Sequence, residues 1–298
     1  MATLYTHADS NVRKTWILLA CFIVFIVILG GFLSYLLNDN IFLIVAVILS
    51  TVQGFSSFWC SDKIILSMVG ANPIEKRDNP ELYRIVENLS ITAGLPAPKI
   101  YITEEAQPNA FTTGRDEKHA IIVVTRGLLD KLERTELEGV IAHEMAHIGN
   151  RDILLGTIVV VLVGIIVMLS RMFLRAGRLN GRRRKRDSKN HGGLLLILGL
   201  IGAVLAPIAA SLIQLAISRK REFLADATGA LLTRYPEGLA MALQKISQDD
   251  TPLRKIDNST AHLYISNPLK GGNGFSKLFL THPPTEERIR ALRGMEIK

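Results

Sequence analysis

Two histidines four residues apart, with a glutamate between them, are the residues of this chain best suited to chemistry. They are His143, Glu144 and His147 in the sequence H-E-M-A-H. On a helix this spacing puts both imidazoles on one face, about 6 Å apart along the axis, so both can bind one metal ion. Glu144 then lies beside the metal, where its carboxylate can take a proton from a water that the metal has acidified. The pattern predicts a zinc site that hydrolyses peptide bonds.

The residues around the motif predict the helix that it requires. Thr135 and Glu138 have the spacing of an N-terminal capping box, and Gly149 with Asn150 provides a stop. Apolar residues recur at helical spacing along the segment, at Leu137, Ile141, Met145 and Ile148. We therefore expect the histidines on a helix that packs through its other side.

A catalytic zinc site needs a third protein ligand, which we assign to Glu222. Glu222 lies in a polar segment that directly follows an apolar run, and Asp226 stands four residues further along the same helical face. Asp226 is placed to accept a hydrogen bond from the second nitrogen of one of the histidines. A solvated charged face is the alternative interpretation of these two acids. Two histidines and one glutamate suit zinc better than calcium or magnesium, which prefer oxygen ligands throughout.

The composition is that of a membrane protein. The chain has 298 residues, of which 48% are hydrophobic, and its mean hydropathy is +0.27. Its two cysteines, Cys21 and Cys60, lie in or beside apolar segments, which excludes a disulfide framework as the source of stability. A membrane span needs about 20 apolar residues. Four segments have about that length: 16–37, 41–59, 153–174 and 194–217.

The net charge of +8 is unevenly distributed, because arginines and lysines crowd the segment 175–189 between the third and fourth apolar segments. The segment has no aromatic residue on which a base could stack, so we expect no nucleic-acid partner. Its position between two apolar segments favours anionic lipid head groups as its partner. A solvated, flexible loop is the alternative.

The order of polar and apolar segments predicts one catalytic lobe made from two pieces of chain. We expect a transmembrane hairpin at 1–60, lobe pieces at 61–152 and 218–298, and a second helical hairpin at 153–217 inserted between them. Within the lobe, residues 99–103 and 119–125 have the β-branched content of strands, and helices are expected from Pro80 and from Pro236. The expected fold class is α+β and mainly helical, with a small sheet packed against the active-site helices.

Four motifs in this order resemble the HtpX family of membrane zinc metallopeptidases, which are relatives of the CAAX prenyl endopeptidases. They are P-N-A-F-T-T-G at 108–114, H-E-M-A-H at 143–147, R-E-F-L-A-D at 221–226 and T-H-P-P-T-E-E-R-I at 281–289. The resemblance covers nearly the whole chain. It implies a gluzincin-type catalytic core with one zinc ion, and proteolysis of misfolded or damaged membrane proteins in quality control.

The resemblance also implies roles that spacing alone does not assign. Asn109 would bind the substrate backbone or help hold the tetrahedral intermediate, and the strand at 119–125 would be the edge on which substrate lies extended. His282 and Arg288 would stabilise the oxyanion and brace the site. Without the resemblance, His282 reads as a residue at a helix entry and Arg288 as a surface ion-pair residue.

Two rival functions and one question of orientation accompany this prediction. A non-catalytic scaffold with a structural zinc would need a closed, usually cysteine-rich site. A prenyl-protein endopeptidase generally has more membrane segments than four. The family implies a multi-pass protein of the cell membrane with a cytoplasmic lobe. That orientation places the basic 175–189 segment on the far side, against the positive-inside tendency, unless the second hairpin does not fully cross.

Overall fold

The computed structural model describes residues 4–182, 218–251, 260, 263–266 and 283–295. The fourth apolar segment, residues 183–189 of the basic segment, and His282 lie outside the described residues. The helices are α1 Leu4–Leu37, α2 Ile41–Trp59, α3 Ser61–Val69, α4 Pro80–Ala93, α5 Arg126–Lys131, α6 Arg134–Gly149, α7 Asp152–Arg182, α8 Arg219–Thr233, α9 Pro236–Ser247 and α10 Thr285–Arg293. The strands are β1 Asn72–Pro73, β2 Lys99–Thr103, β3 Ala110–Thr113 and β4 Ile121–Thr125. The described fold is mainly helical with one small mixed sheet, as expected.

Helices α1 and α2 are long and apolar enough to cross a membrane. The apolar stretch of α1 covers Asn11–Leu36 with a mean hydropathy of 2.9, and α2 has a mean hydropathy of 2.0. Many of their large apolar side chains face outward, for example Ile28 and Val52, which are 65% and 63% exposed. Such surfaces require lipid as their solvent. The chain is therefore a membrane protein, as the composition predicted.

The third apolar segment is packed rather than exposed where α7 begins. Helices α6 and α7 meet at an angle of 86°, and Arg151 between them has a left-handed φ of 55°. Ile158 and Val159 are fully buried in a cluster with α1, and Val160 is buried in a second cluster with α3 and the sheet. The start of α7 therefore joins the catalytic lobe to the first membrane helix.

The sheet order is β1-β2-β4-β3, with β2 and β4 parallel and the outer strands antiparallel to their neighbours. β2 has the predicted bounds, whereas β4 starts two residues later than predicted, because residues 117–119 form a 3₁₀ turn whose N-cap is Asp116. The segment between the predicted strands forms β3. Since β4 is an inner strand, its backbone is already paired on both sides. The expectation that residues 119–125 provide the substrate edge is therefore wrong, and the strand beside β4 at the edge of the sheet is β3.

Helix α6 begins one residue earlier than the predicted cap. The N-cap is Glu133, and Glu136, not Glu138, folds back to accept a hydrogen bond of 2.8 Å from the Glu133 backbone N–H. Glu136 is also bound by Lys245 of α9 at 2.8 Å. Because Glu136 makes both the capping hydrogen bond and the ion pair with Lys245, Glu133 and Glu136 cap the helix in place of the predicted Thr135 and Glu138.

Two glycines allow α6 to touch its neighbours backbone to backbone. A Cβ on Gly139 of α6 would lie 2.6 Å from the Leu239 nitrogen of α9. A Cβ on Gly229 of α8 would lie 2.9 Å from the His143 nitrogen of α6. This approach sets the separation of α6 and α8, and both helices carry predicted zinc ligands.

Gly229→Ala should therefore lower the stability of the protein. The added methyl group has backbone on its other side and cannot be accommodated by rotating a side chain, so we expect a loss of about 1–3 kcal/mol. Gly149→Ala is the matched control, because its Cβ would make only an ordinary contact of 3.5 Å with Leu95. Thermal unfolding of the full chain in detergent should show a lower melting temperature for Gly229→Ala alone. Equal melting temperatures would mean that α8 does not need this close approach.

Candidate active site

The three predicted zinc ligands converge between α6 and α8. The Nε2 atoms of His143 and His147 lie 3.2 Å apart. The Glu222 carboxylate oxygens lie 3.9 Å from His143 Nε2 and 3.6 Å from His147 Nε2. Two nitrogens bound tetrahedrally to one zinc at about 2.0–2.1 Å are separated by roughly 3.3 Å. The three side chains therefore have the separation that a single ion requires.

The surroundings of these ligands favour positive charge. Burial lowers the pKa of His147, but a hydrogen bond to Asp152 and the carboxylates of Glu222, Asp152 and Glu144 outweigh it and raise that pKa to about 9. A buried cluster of carboxylates is costly unless cations balance it. A divalent ion held by two imidazoles and one carboxylate provides such a balance, so the donor set fits zinc.

Asp226 links His143 to a buried arginine. Its Oδ1 lies 2.9 Å from His143 Nδ1, and both of its oxygens accept hydrogen bonds from Arg288, at 2.8 Å from Nε and 2.7 Å from Nη2. Burial raises the pKa of Asp226, but the charge and hydrogen bonds of Arg288 lower it to about 2. The carboxylate is therefore ionised and can hold the His143 ring by its Nδ1 side.

Arg288 is a buried residue, so its interpretation as a surface ion-pair residue is wrong. Only 2% of it is exposed. It also donates to the Ile265 carbonyl at 3.0 Å and lies 3.8 Å from Glu222. Burial opposes the charged form, yet Asp226, Glu222 and Glu144 raise the pKa of Arg288 above its ordinary value. Arg288 thus links α10 to α8 through Asp226.

Glu144 is held by a residue that the sequence analysis missed. Thr112 of β3 donates from Oγ1 to Glu144 Oε2 at 3.0 Å, and both side chains are buried. A carboxylate fixed by one hydroxyl keeps its other oxygen available for a proton. The threonine stands in the P-N-A-F-T-T-G motif, three residues beyond Asn109, so its motif membership was its only sequence signal.

Asp152 and Asn11 form a second support, behind His147. Asp152 Oδ2 lies 3.1 Å from His147 Nδ1, and its Oδ1 accepts a hydrogen bond of 2.8 Å from Asn11 Nδ2. Asn11 is buried, and its Oδ1 accepts from Arg221 at 3.3 Å. The first membrane helix thus reaches the outer shell of the site. In the sequence, Asp152 stands out as an acid just beyond the motif helix. Asn11 is an isolated asparagine more than 130 residues away, and nothing in the sequence singles it out.

Asn109 is not brought to the metal ligands by any contact within the described residues. Its side chain is buried and pairs with the backbone of Ser266, donating to the carbonyl at 2.9 Å and accepting from the N–H at 3.3 Å. The next residues pair similarly, because Ile265 N donates to the Ala110 carbonyl at 2.9 Å. Asn109 therefore fixes the segment 263–266 against β3.

Comparisons with known proteins identify the family of this chain. The model of peptidase family M48 matches residues 76–296. A "Protease HtpX homolog" of Dictyoglomus thermophilum is 46% identical over 294 residues, which cover 98% of this chain and 95% of the relative. One of Caldanaerobacter subterraneus is 45% identical and covers 99% of each chain, and one of Tropheryma whipplei is 47% identical and covers 98% of each.

A solved structure shares the fold. The crystal structure of S. mikatae Ste24p aligns with a TM-score of 0.50 at 19% sequence identity, covering 97% of this chain and 66% of that one. At that identity the likeness concerns the fold alone. Fold and site together define a membrane metallopeptidase, and the chain belongs to peptidase family M48, in its HtpX branch.

Asn11→Leu should weaken metal binding, because it removes the donor that orients Asp152 behind His147. Loss of an outer-shell partner typically costs 10- to 100-fold in affinity, and we expect about tenfold for this more distant residue. Leu19→Ala is the control, since Leu19 is buried in the same helix against α7 and lies outside the Asp152 network. Zinc affinity of the purified full chains, measured by chelator competition, should fall in Asn11→Leu only. An unchanged affinity would show that α1 does not position His147.

Proposed function

We propose that this chain is a membrane-bound zinc endopeptidase with a gluzincin-type core, which hydrolyses peptide bonds of misfolded or damaged membrane proteins. The observation that carries the proposal is the convergence of His143, His147 and Glu222 beside the buried carboxylate of Glu144. The family establishes a metallopeptidase and argues against a non-catalytic scaffold. Full-length similarity to HtpX-type proteases favours this function over that of a prenyl-protein endopeptidase.

The residues of the site have distinct tasks in this mechanism. Bound zinc would polarise the scissile carbonyl and lower the pKa of water to about 7. Glu144 takes the proton from the attacking water and delivers it to the leaving amine nitrogen. Thr112 keeps the Glu144 carboxylate in place during both transfers. Asp226 and Asp152 fix the rings of His143 and His147, so these side chains need not reorganise when charge develops.

We infer that the substrate lies along β3. This strand is one of the two outer strands of the sheet, and its Thr112 contacts Glu144. The Ala110 carbonyl already accepts from Ile265 on the side away from β4. Because backbone groups alternate in direction along a strand, the N–H and C=O of Thr112 face the same side. An extended peptide that pairs with this edge of β3 would present its backbone to Glu144. This is the β-augmentation mode expected from the sequence, with β3 in place of β4 as the strand that pairs with the substrate.

The remaining assignments rest on the sequence resemblance and are kept as proposals. His282 is proposed to stabilise the oxyanion, and Arg288 to brace the ligands through Asp226. For Asn109, its contacts with Ser266 support a positioning role at the end of β3. We also propose the lobe boundaries given above, a cytoplasmic orientation of the lobe in the cell membrane, and anionic lipid as the partner of the segment 175–189.

Glu144→Gln tests the general base. The amide keeps the shape of the side chain but cannot accept a proton, so turnover of an unfolded casein should fall by on the order of 10²–10⁴-fold with zinc still bound. Glu138→Gln makes the same change on the same helix outside the site and should retain activity. Metal content and cleavage rate should be measured on each purified chain. A Glu144→Gln activity within threefold of the wild type would falsify this assignment.

Glu222→Ala tests the third ligand. It should lose zinc and activity together, whereas Asp226→Ala should weaken zinc affinity by about 10- to 100-fold. Asp226→Ala should also lower the melting temperature, because it leaves Arg288 buried without its paired carboxylate. Glu237→Ala removes a half-buried acid that lies outside the site and pairs with Arg293, and it serves as the control. Stoichiometric zinc in Glu222→Ala under mild chelation would require another third ligand.

A further inference from the structure

A cavity of about 430 Å³ lies where α1, α2 and the start of α7 meet the catalytic lobe. This volume is within the range of small-molecule sites, roughly 300–1,000 Å³. Its walls combine the aromatic side chains of Trp16 and Phe58 with charged side chains of the turn before β4. The cavity is separate from the zinc ligands, and none of them lines it.

The cavity lies at the level of lipid head groups. Trp16 stands near the start of the apolar stretch of α1, and Trp59 is the last residue of α2. Both therefore mark the lobe end of the helix pair, and both are 54% exposed. Tryptophan is enriched at the membrane–water interface, where one side of its ring is apolar and the other is wet. The cavity next to these rings therefore opens at that depth.

The polar wall of the cavity carries more positive than negative charge. It contains the cations Arg115, Lys118 and Arg151 and the acids Asp116 and Glu117. Asp116 lies 2.6 Å from the Nδ1 atom of His119 and 3.5 Å from Arg115 Nε, and Glu117 lies 3.3 Å from Arg151 Nε. Lys118 forms no ion pair with any of the described residues. Arg115 is held above the ring of Trp59 at 5.0 Å from its centroid.

The remaining lining residues are apolar. Phe58 stacks on Trp16 with ring centroids 5.4 Å apart, and the other apolar lining residues are Val12, Ile148, Ile153 and Leu154. An occupant must therefore be anionic at one end and apolar at the other. Basic pockets beside membrane helices bind anionic lipid head groups for this reason.

We propose that this cavity binds the head group of an anionic phospholipid. The phosphate is bound by Lys118, Arg151 and Arg115, and the glycerol and first acyl carbons contact Trp16 and Phe58. This site differs from the basic segment 175–189 and does not depend on the proposed function. Three lining residues, Val12, Ile148 and Arg151, are chain neighbours of Asn11, His147 and Asp152. The bound lipid thus stabilises the contact between α1 and the candidate active site.

The two tryptophans provide a direct measurement, because the chain has no others. Delipidated full chain in a neutral maltoside is titrated with dioctanoyl phosphatidylglycerol, and tryptophan emission is followed while native mass spectrometry counts bound lipid. Two further titrations use dioctanoyl phosphatidylcholine, which has the same tails but no net charge, and glycerol phosphate, which has no tails. We expect a saturable response with one tightly bound phosphatidylglycerol per chain, weaker binding of phosphatidylcholine, and no saturation by glycerol phosphate.

The Lys118→Gln/Arg151→Gln variant should raise the dissociation constant about tenfold or more, since two cations are lost. Arg77→Gln/Arg126→Gln removes two exposed cations that do not line the cavity and should leave it unchanged. Lys118→Gln alone, an exposed position, gives an intermediate loss should the double variant fold poorly. Equal weakening in the test and control variants, or a response that never saturates, would overturn the site. Glycerol phosphate binding as tightly as the lipid would overturn the assignment to lipid.

Discussion

The organisation of this protein depends on balancing carboxylates that are crowded in a buried place. Glu144, Glu222 and Asp226 are all nearly inaccessible to water, and each would be costly there without a cation. Arg288 provides one charge by a two-bond pair with Asp226, and the zinc ion that we propose between the two imidazoles would provide the rest. Breaking a buried pair of this kind typically costs about 3–5 kcal/mol, so the metal ligands and the fold stabilise each other.

This constraint explains why the site draws on distant parts of the chain. α6 contributes the histidines, α8 two acids, α10 the arginine and β3 the threonine that holds Glu144. Gly229 allows α8 to approach α6 at backbone distance. The first membrane helix adds Asn11 behind Asp152. The first membrane helix is therefore connected to the candidate site, so an occupant of the cavity that we propose for lipid would act on this connection.

Two sequence-based predictions and one alternative interpretation were wrong, each because a non-local contact decided the outcome. The composition of β4 does not distinguish an inner strand from an edge strand. Only the sheet order shows that β4 is paired on both sides and that its neighbour β3 lies at the edge. The cap of α6 moved to Glu133 and Glu136 because Lys245 pairs with Glu136. Arg288 is surrounded by polar residues in the sequence of a short amphipathic helix. It is nevertheless buried, because it pairs with the carboxylate of Asp226 on another helix.

The sequence by itself determined what depends on short spacing. His143 and His147 share a face because they are one helical turn apart, as do Glu222 and Asp226, and long apolar runs identify α1 and α2 as membrane helices. The tertiary structure decided which elements meet. It placed Asp226 beside His143 rather than His147, placed Asp152 beside His147, and connected Asn11 to Asp152. Periodicity records only which residues face the same way along one element, whereas the partner of that face is chosen by packing and charge balance across the whole chain.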